Sequence, residues 1–225
     1  MTTQNVFITG GTGYLGSALI AQLLPQNDRV CALTRAQSVR KLAAGVRAVI
    51  GDALDAATYA AQVPPGATFV HLVGVPHPSP SKAAQFEQVD LASVKAALQA
   101  AQQAQVKHFI YVSVVQPASR SVAIMRAYQE VRARAEALIR ASGIPATIVR
   151  PWYVLGPGHR WPILLLPLYT IAEWVPAWRD GARRLRCVTL AQMVTTLVDA
   201  IEQPPQTLRI VEVEEILRGT ALVQK

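Results

Sequence analysis

The chain has 225 residues, 51% of them hydrophobic and 16% charged, with a formal net charge of +8. So apolar a composition excludes a disordered or fibrous chain, and the length suits one α/β unit, residues 1–225, with a substantial core. The cations are scattered over 35–47, 120–140 and 179–186 with few aromatics between them, which argues against a nucleic-acid interface.

The first β-branched run, Asn5–Thr9, reads as a strand ending in Gly10-Gly11. Met1–Asn5 is polar, so no secretory leader is expected ahead of it. Leu15, Ala18, Leu19 and Leu23 recur at helical spacing from Tyr14 to Leu24, and Pro25 stops that helix. Further strands are expected at Val30–Thr34, Val46–Ile50 and Ala67–Val73, with helices near Ser38–Ala44 and Asp55–Gln62 between them. A long helix over Lys82–Gln105 carries Phe86, Val89, Val94, Leu98 and Ala101 as its inward stripe. Strand five spans His108–Val115, and a helix over Ile124–Ala141 ends at Ser142-Gly143, where the glycine suits a left-handed cap. Strand six, Ala146–Arg150, ends at Pro151; a last helix, Leu190–Glu202, and strand, Thr207–Val213, close the pattern. Alternation of this kind predicts a Rossmann-type, doubly wound parallel sheet flanked by helices.

Residues 151–188 break the rhythm and are expected to form a small C-terminal substrate-binding lobe inserted before the last helix and strand. Within it, 161–178 is strongly apolar but broken by Pro162, Pro167, Glu173 and Pro176, whereas a membrane span needs about 20 uninterrupted apolar residues. A pocket wall is the favoured reading over membrane contact. Cys31 and Cys187 stand apart in apolar surroundings, and neither they nor His71, His77, His108 and His159 show metal-ligand spacing. Free buried thiols fit a reducing cytoplasm, and no metal is expected.

Gly10-Gly11-Thr12-Gly13-Tyr14-Leu15-Gly16 follows a strand and opens a helix. In that context Gly10 permits the sharp turn, Gly13 lets a pyrophosphate approach the backbone, and Gly16 lets the helix pack close to the strand. The helix N-terminus favours the phosphate charge. A carboxylate about 20 residues further on would hold a ribose 2′-hydroxyl. None occurs between Cys31 and Lys41; Thr34-Arg35, Ser38, Arg40 and Lys41 stand there instead. Arg35 and Arg40 can pair with a 2′-phosphate, so NADP is the expected cofactor and NAD the alternative. Asp52 is placed to face the adenine, with capping of the next helix as the competing role, for which Asp55 is better placed. Val73, at the end of strand four, is expected to border the cofactor.

Thr9–Gly16, Gly51-Asp52, His71-Leu72, Phe109–Ser113, Tyr128 and Arg150-Pro151 through Gly158 together resemble the short-chain dehydrogenase/reductase superfamily. The likeness leans toward its extended, atypical branch of NmrA-like NAD(P)-binding proteins. The resemblance implies a catalytic Tyr, a Lys four residues later on the same helix face, and a hydroxyl after strand five. Here the matching positions are Tyr128 and Arg132, while Ser113 lies beside the expected hydroxyl position, which falls at or next to Val114. Arg for Lys keeps the charge but changes the donor geometry. Two functions follow from the resemblance: an NAD(P)H-dependent oxidoreductase reducing a small carbonyl or enone substrate, and a non-catalytic NADP-binding redox sensor or accessory protein.

Overall fold

Strands that are covered on both faces read as unbroken apolar runs, and the runs seen in this sequence become just such strands. A computed structural model describes residues 4–26, 29–75, 79–116, 126–157 and 186–219. In chain order the described strands are β1 (Asn5–Thr9), β2 (Arg29–Thr34), β3 (Arg47–Ile50), β4 (Thr68–His71), β5 (His108–Val112), β6 (Ala146–Arg150), β7 (Tyr153–Leu155), β8 (Cys187–Thr189) and β9 (Leu208–Glu212). The helices are α1 (Tyr14–Leu23), α2 (Ala83–Gln85), α3 (Ala92–Gln103), α4 (Arg126–Ala141), α5 (Leu190–Glu202) and α6 (Val213–Gly219).

Seven strands form one sheet in the order β3-β2-β1-β4-β5-β6-β9, every pairing parallel. The winding reverses direction between β1 and β4, which is where open sheets of this type leave a crevice at their C-terminal edge. Side chains alternate across the sheet. Phe7, Phe69, Phe109 and Tyr111 pack toward α3 and α4; Val6, Ile8, Val70, Ile110 and Val149 pack toward α1 and α5. Phe7, Phe69 and Phe109 share one register, with ring centroids 5.0 and 5.3 Å apart across the central strands. Each such aromatic pair adds about 0.5–1.5 kcal/mol beyond simple burial.

The predicted doubly wound α/β sheet is therefore the observed one, with several boundaries moved. β4 stops at His71 and β5 at Val112, because the chain beyond them leaves the ladder to line the sheet edge. The helix near Ser38–Ala44 is a 3₁₀ segment over Ala36–Lys41, and that near Asp55–Gln62 is two single 3₁₀ turns, Ala56–Thr58 and Ala60–Gln62. Lys82–Gln105 is not one regular helix, since a wider π-type stretch, Phe86–Leu91, separates α2 from α3. Asp90, Leu91 and Ser93 are buried there beside Phe86 and Val94, whereas Val89 is only partly so. β9 is followed by α6, which the sequence reading ran together with the strand. α4 ends before Gly143, whose φ of 72° is the left-handed conformation expected there.

α5 begins with a reciprocal cap. The Thr189 hydroxyl accepts from the Gln192 amide at 3.2 Å, and the Gln192 side chain accepts from the Thr189 amide at 2.8 Å. β7 and β8 form a separate parallel pair beside the main sheet. Most of the expected lobe, including 161–178, lies outside the described residues. Among the described residues no helix is long and apolar enough to cross a membrane.

Candidate functional site

The Gly10–Gly16 turn joins β1 to α1 beside the end of β4. Gly10 adopts φ 77°, and a Cβ there would lie 2.8 Å from the Leu72 carbonyl carbon and oxygen and 3.1 Å from the Val73 nitrogen. Only glycine meets both demands. A Cβ on Gly16 would overlap the Gly10 carbonyl oxygen and lie 2.7 Å from Gly11 Cα, so the helix can approach the turn only without a side chain. Gly13 differs. It is exposed, its amide donates to the Gly10 carbonyl at 2.9 Å, and a Cβ would meet only that oxygen, at 3.1 Å. Gly11 is buried, Thr12 and Leu15 are partly so, and Tyr14 lays its hydroxyl against Gly156. No side chain caps α1, whose N-cap is Gly13, and no carboxylate lies in its first turn. A bare N-terminus behind an open glycine fits a diphosphate, which would supply the missing acceptors.

Arg35 and Arg40 are exposed at the end of β2, flanking the 3₁₀ segment that Arg35 opens. Asp52 is exposed after β3, with its Oδ1 accepting from the Leu54 amide at 2.9 Å. Capping falls instead to Asp55, whose carboxylate accepts from the Ala57 amide at 3.0 Å. The glycine turn, Val73, the end of β2 and Asp52 thus lie along one C-terminal edge of the sheet.

The structure brings Tyr128 and Arg132 together and holds Ser113 apart from them in a different network. Tyr128 is half-buried with its ring edge-on to Phe86, centroids 5.1 Å apart, and the Arg132 guanidinium carbon is 5.0 Å from the Tyr128 ring centre. Burial raises the Tyr128 phenol above its ordinary pKa and outweighs the opposing pull of Arg132. Arg132 itself is only 6% exposed. It donates to Tyr111 Oη at 3.0 Å and the Val112 carbonyl at 2.9 Å, and pairs with Asp90 Oδ1 at 2.5 Å. Asp90 is fully buried, and its other oxygen accepts from the Val75 amide at 3.1 Å. Behind this pair His71 lies between the Thr9 hydroxyl, 2.8 Å away, and the Ser93 hydroxyl, 3.2 Å away. Burial, reinforced by the Arg132 charge, pushes the His71 pKa down to about 3, so its ring is neutral.

Ser113 is buried and donates to Glu136 Oε1 at 2.7 Å. Arg150 grips both oxygens of that carboxylate, at 3.0 and 2.5 Å, and reaches Glu212 at 2.7 Å. Arg140 adds a contact at 3.3 Å. Asp90 and Glu136 escaped the sequence reading, though signals for both were present. Glu136 lies one turn after Arg132 on the Tyr128 face of α4, and Asp90 follows Phe86 by four residues. Among the described residues no group of three His, Cys, Asp or Glu could hold a metal ion.

A parallel doubly wound sheet with a glycine turn at its switch point defines a dinucleotide-binding protein of the Rossmann class. A family model described as NAD(P)H-binding matches residues 10–159, and the chain belongs to that family. No functionally curated protein matches it. Among solved structures it resembles the enzyme WbmH of Bordetella bronchiseptica in complex with NAD+, at 20% identity and a TM-score of 0.68, over 99% of this chain and 82% of that one. It also resembles DesIV of Streptomyces venezuelae, a dTDP-glucose 4,6-dehydratase, at 20% identity and a TM-score of 0.66, over 92% and 75%. The oxidoreductase ylbE of Lactococcus lactis matches at 23% identity and a TM-score of 0.59, over 68% and 70%. These likenesses carry the fold, and family membership carries the NAD(P)H site.

Proposed function

We propose that the chain is an NADPH-dependent reductase of a small carbonyl or enone substrate, from the short-chain dehydrogenase/reductase superfamily and near its NmrA-like branch. The single observation that carries this reading is the half-buried Tyr128 phenol beside Arg132, on the same sheet edge as the glycine turn. Gly10–Gly16 would hold the diphosphate, with Val73 alongside, Arg35 and Arg40 the 2′-phosphate, and Asp52 the adenine. The exposed cations and the absence of a carboxylate at the end of β2 support NADP over NAD. When bound, the reduced nicotinamide supplies a hydride.

The protein's own share is the proton. A phenol whose pKa is raised holds its proton at neutral pH and can give it to a substrate oxygen that gains charge. The same shift leaves little tyrosinate at neutral pH, so the resting group is a proton donor rather than an acceptor. Tyr128→Phe should abolish NADPH consumption on a carbonyl and enone panel while leaving NADPH binding within about twofold, a change under about 0.4 kcal/mol. Full turnover by this variant would refute the assignment.

A second reading is supported by specific contacts. Arg132 commits its two Nη groups to Asp90, Tyr111 and Val112, and Ser113 gives its hydroxyl to Glu136. A non-catalytic NADP(H) sensor needs neither group free. Unequal affinity for NADP and NADPH, with no turnover across the panel, would establish that reading instead.

A further inference from the structure

Asp90 is a fully buried carboxylate with two engagements that run in different directions. One oxygen takes the Arg132 guanidinium from α4 at 2.5 Å, and the other takes the Val75 amide at 3.1 Å, on the segment that leaves β4. Gly74 leaves room for this meeting. A Cβ on Gly74 would overlap Arg132 Nη2 and lie 3.0 Å from Asp90 Oδ1. Two residues upstream, the Leu72 and Val73 backbone packs against Gly10. Asp90 lies in the π-type stretch from Phe86 to Leu91, and such widened turns mark functional positions more often than regular helix does. A continuous line of contacts therefore runs from the glycine turn through 72–75, Asp90 and Arg132 to the ring of Tyr128.

We propose that Asp90 is a positioning residue that holds Arg132 over Tyr128 and ties both to the strand-end segment bordering the dinucleotide turn. In this respect the inference deepens the reductase reading and rests on it for its function, though not for its chemistry. Asp90 neutralises the Arg132 guanidinium where it faces the phenol, so the proton stays on Tyr128 at the pH at which a donor is needed. Among the described residues, the charged or titratable groups around Tyr128 are Asp90 from the π-type stretch, Arg132 from its own helix, and Tyr111 from β5; His71 from β4 faces Arg132 from behind. His71 is neutral, and Tyr111 is held neutral by burial, so Asp90 and Arg132 set the balance.

The test titrates the tyrosines of the nucleotide-free protein by their ultraviolet absorbance, taking the difference against Tyr128→Phe in each background to isolate one phenol. In Asp90→Asn the isolated midpoint should move to lower pH by about one unit or more, the effect of an uncompensated cation beside the ring. In Arg132→Gln it should move to higher pH. In the double variant, which leaves no unpaired buried charge and so tolerates folding where a single variant does not, it should return close to the starting value. Packing alone would move every variant in the same direction, toward the midpoint of an exposed tyrosine. A shared direction, or an unmoved midpoint in Asp90→Asn, overturns the proposal. If Asp90→Asn does not fold, an Arg132→Gln midpoint at or below that of the parent overturns it alone. Turnover on the carbonyl panel is scored separately: its absence refutes the reductase reading, while the opposed shifts still establish Asp90 as the positioning group.

Discussion

Alanine at Gly13 and at Gly16 should separate the glycine that serves the fold from the one that serves the ligand. At Gly16 the new methyl overlaps the Gly10 carbonyl and lies 2.7 Å from Gly11 Cα, both backbone, so relief requires moving the turn or α1 itself. Overpacking of this kind costs about 3 kcal/mol at the upper end of the usual range. The better helix propensity of alanine returns about 1 kcal/mol. The net loss of about 2 kcal/mol corresponds to a fall in Tm of about 4–8 °C for a chain of this length. At Gly13 the methyl meets one oxygen at 3.1 Å, and φ −82° with ψ 175° suits any residue, so the fold should lose no more than about 1 kcal/mol. Yet that methyl stands on the exposed tip of the turn, where a diphosphate must approach the backbone. Gly13→Ala should therefore bind NADPH at least about tenfold more weakly, a change of about 1.4 kcal/mol, while melting close to the parent. Thermal unfolding without nucleotide and fluorescence titration with NADPH read the two effects independently. NADPH affinity unchanged in Gly13→Ala, or an unchanged Tm in Gly16→Ala, would refute the division of labour.

Three further outcomes follow from the same geometry. Arg35→Ala should weaken NADP by about 10–100-fold, the worth of a charge-assisted contact, and hardly affect NAD; equal losses in calorimetric titration would remove the 2′-phosphate assignment. Stability should fall as pH drops from about 6.5 toward 4, because burial holds His71 down at about 3 and His108 at about 4, and the unfolded chain takes up protons that the folded one refuses. Each histidine contributes a slope of about 1.4 kcal/mol per pH unit in that window, and burial raises the Asp90 carboxyl, which works in the opposite sense. His108→Asn should therefore show a shallower slope in urea unfolding, and a slope equal to the parent's would contradict it. Glu136→Ala strips the carboxylate from Arg150, Arg140 and Ser113 and should cost about 3 kcal/mol in the same assay; a loss under about 1 kcal/mol would show that solvent replaces the pair.

What could be read from the sequence follows the range of the interactions involved. The strand runs and the glycine turn are local patterns, and the sheet order that unites them follows from parallel crossovers of one hand. Thr189 with Gln192 was equally local, a capping pair standing immediately before an apolar helix, and could have been read directly. The weak helices at 36–41 and 56–62 lack the length to carry a full apolar face, and their periodicity promised more than the backbone delivers. Asp90 and Arg132 are a different case. They are 42 residues apart, so helical spacing from Phe86 can put Asp90 on the inward face but cannot name its partner. Even so, electrostatics supplies a rule that spacing does not. An arginine on a face expected to enter the core must be neutralised there, so Arg132 on the Tyr128 face obliges some carboxylate to meet it. Only two buried acids, Asp90 and Glu136, appear among the described residues, and each is matched to arginine: Asp90 to Arg132, Glu136 to Arg150 and Arg140. Arg132, where the resemblance implies a lysine, is thus part of a compensated pair, and any consequence for chemistry has to be judged from the pair and not from the arginine alone.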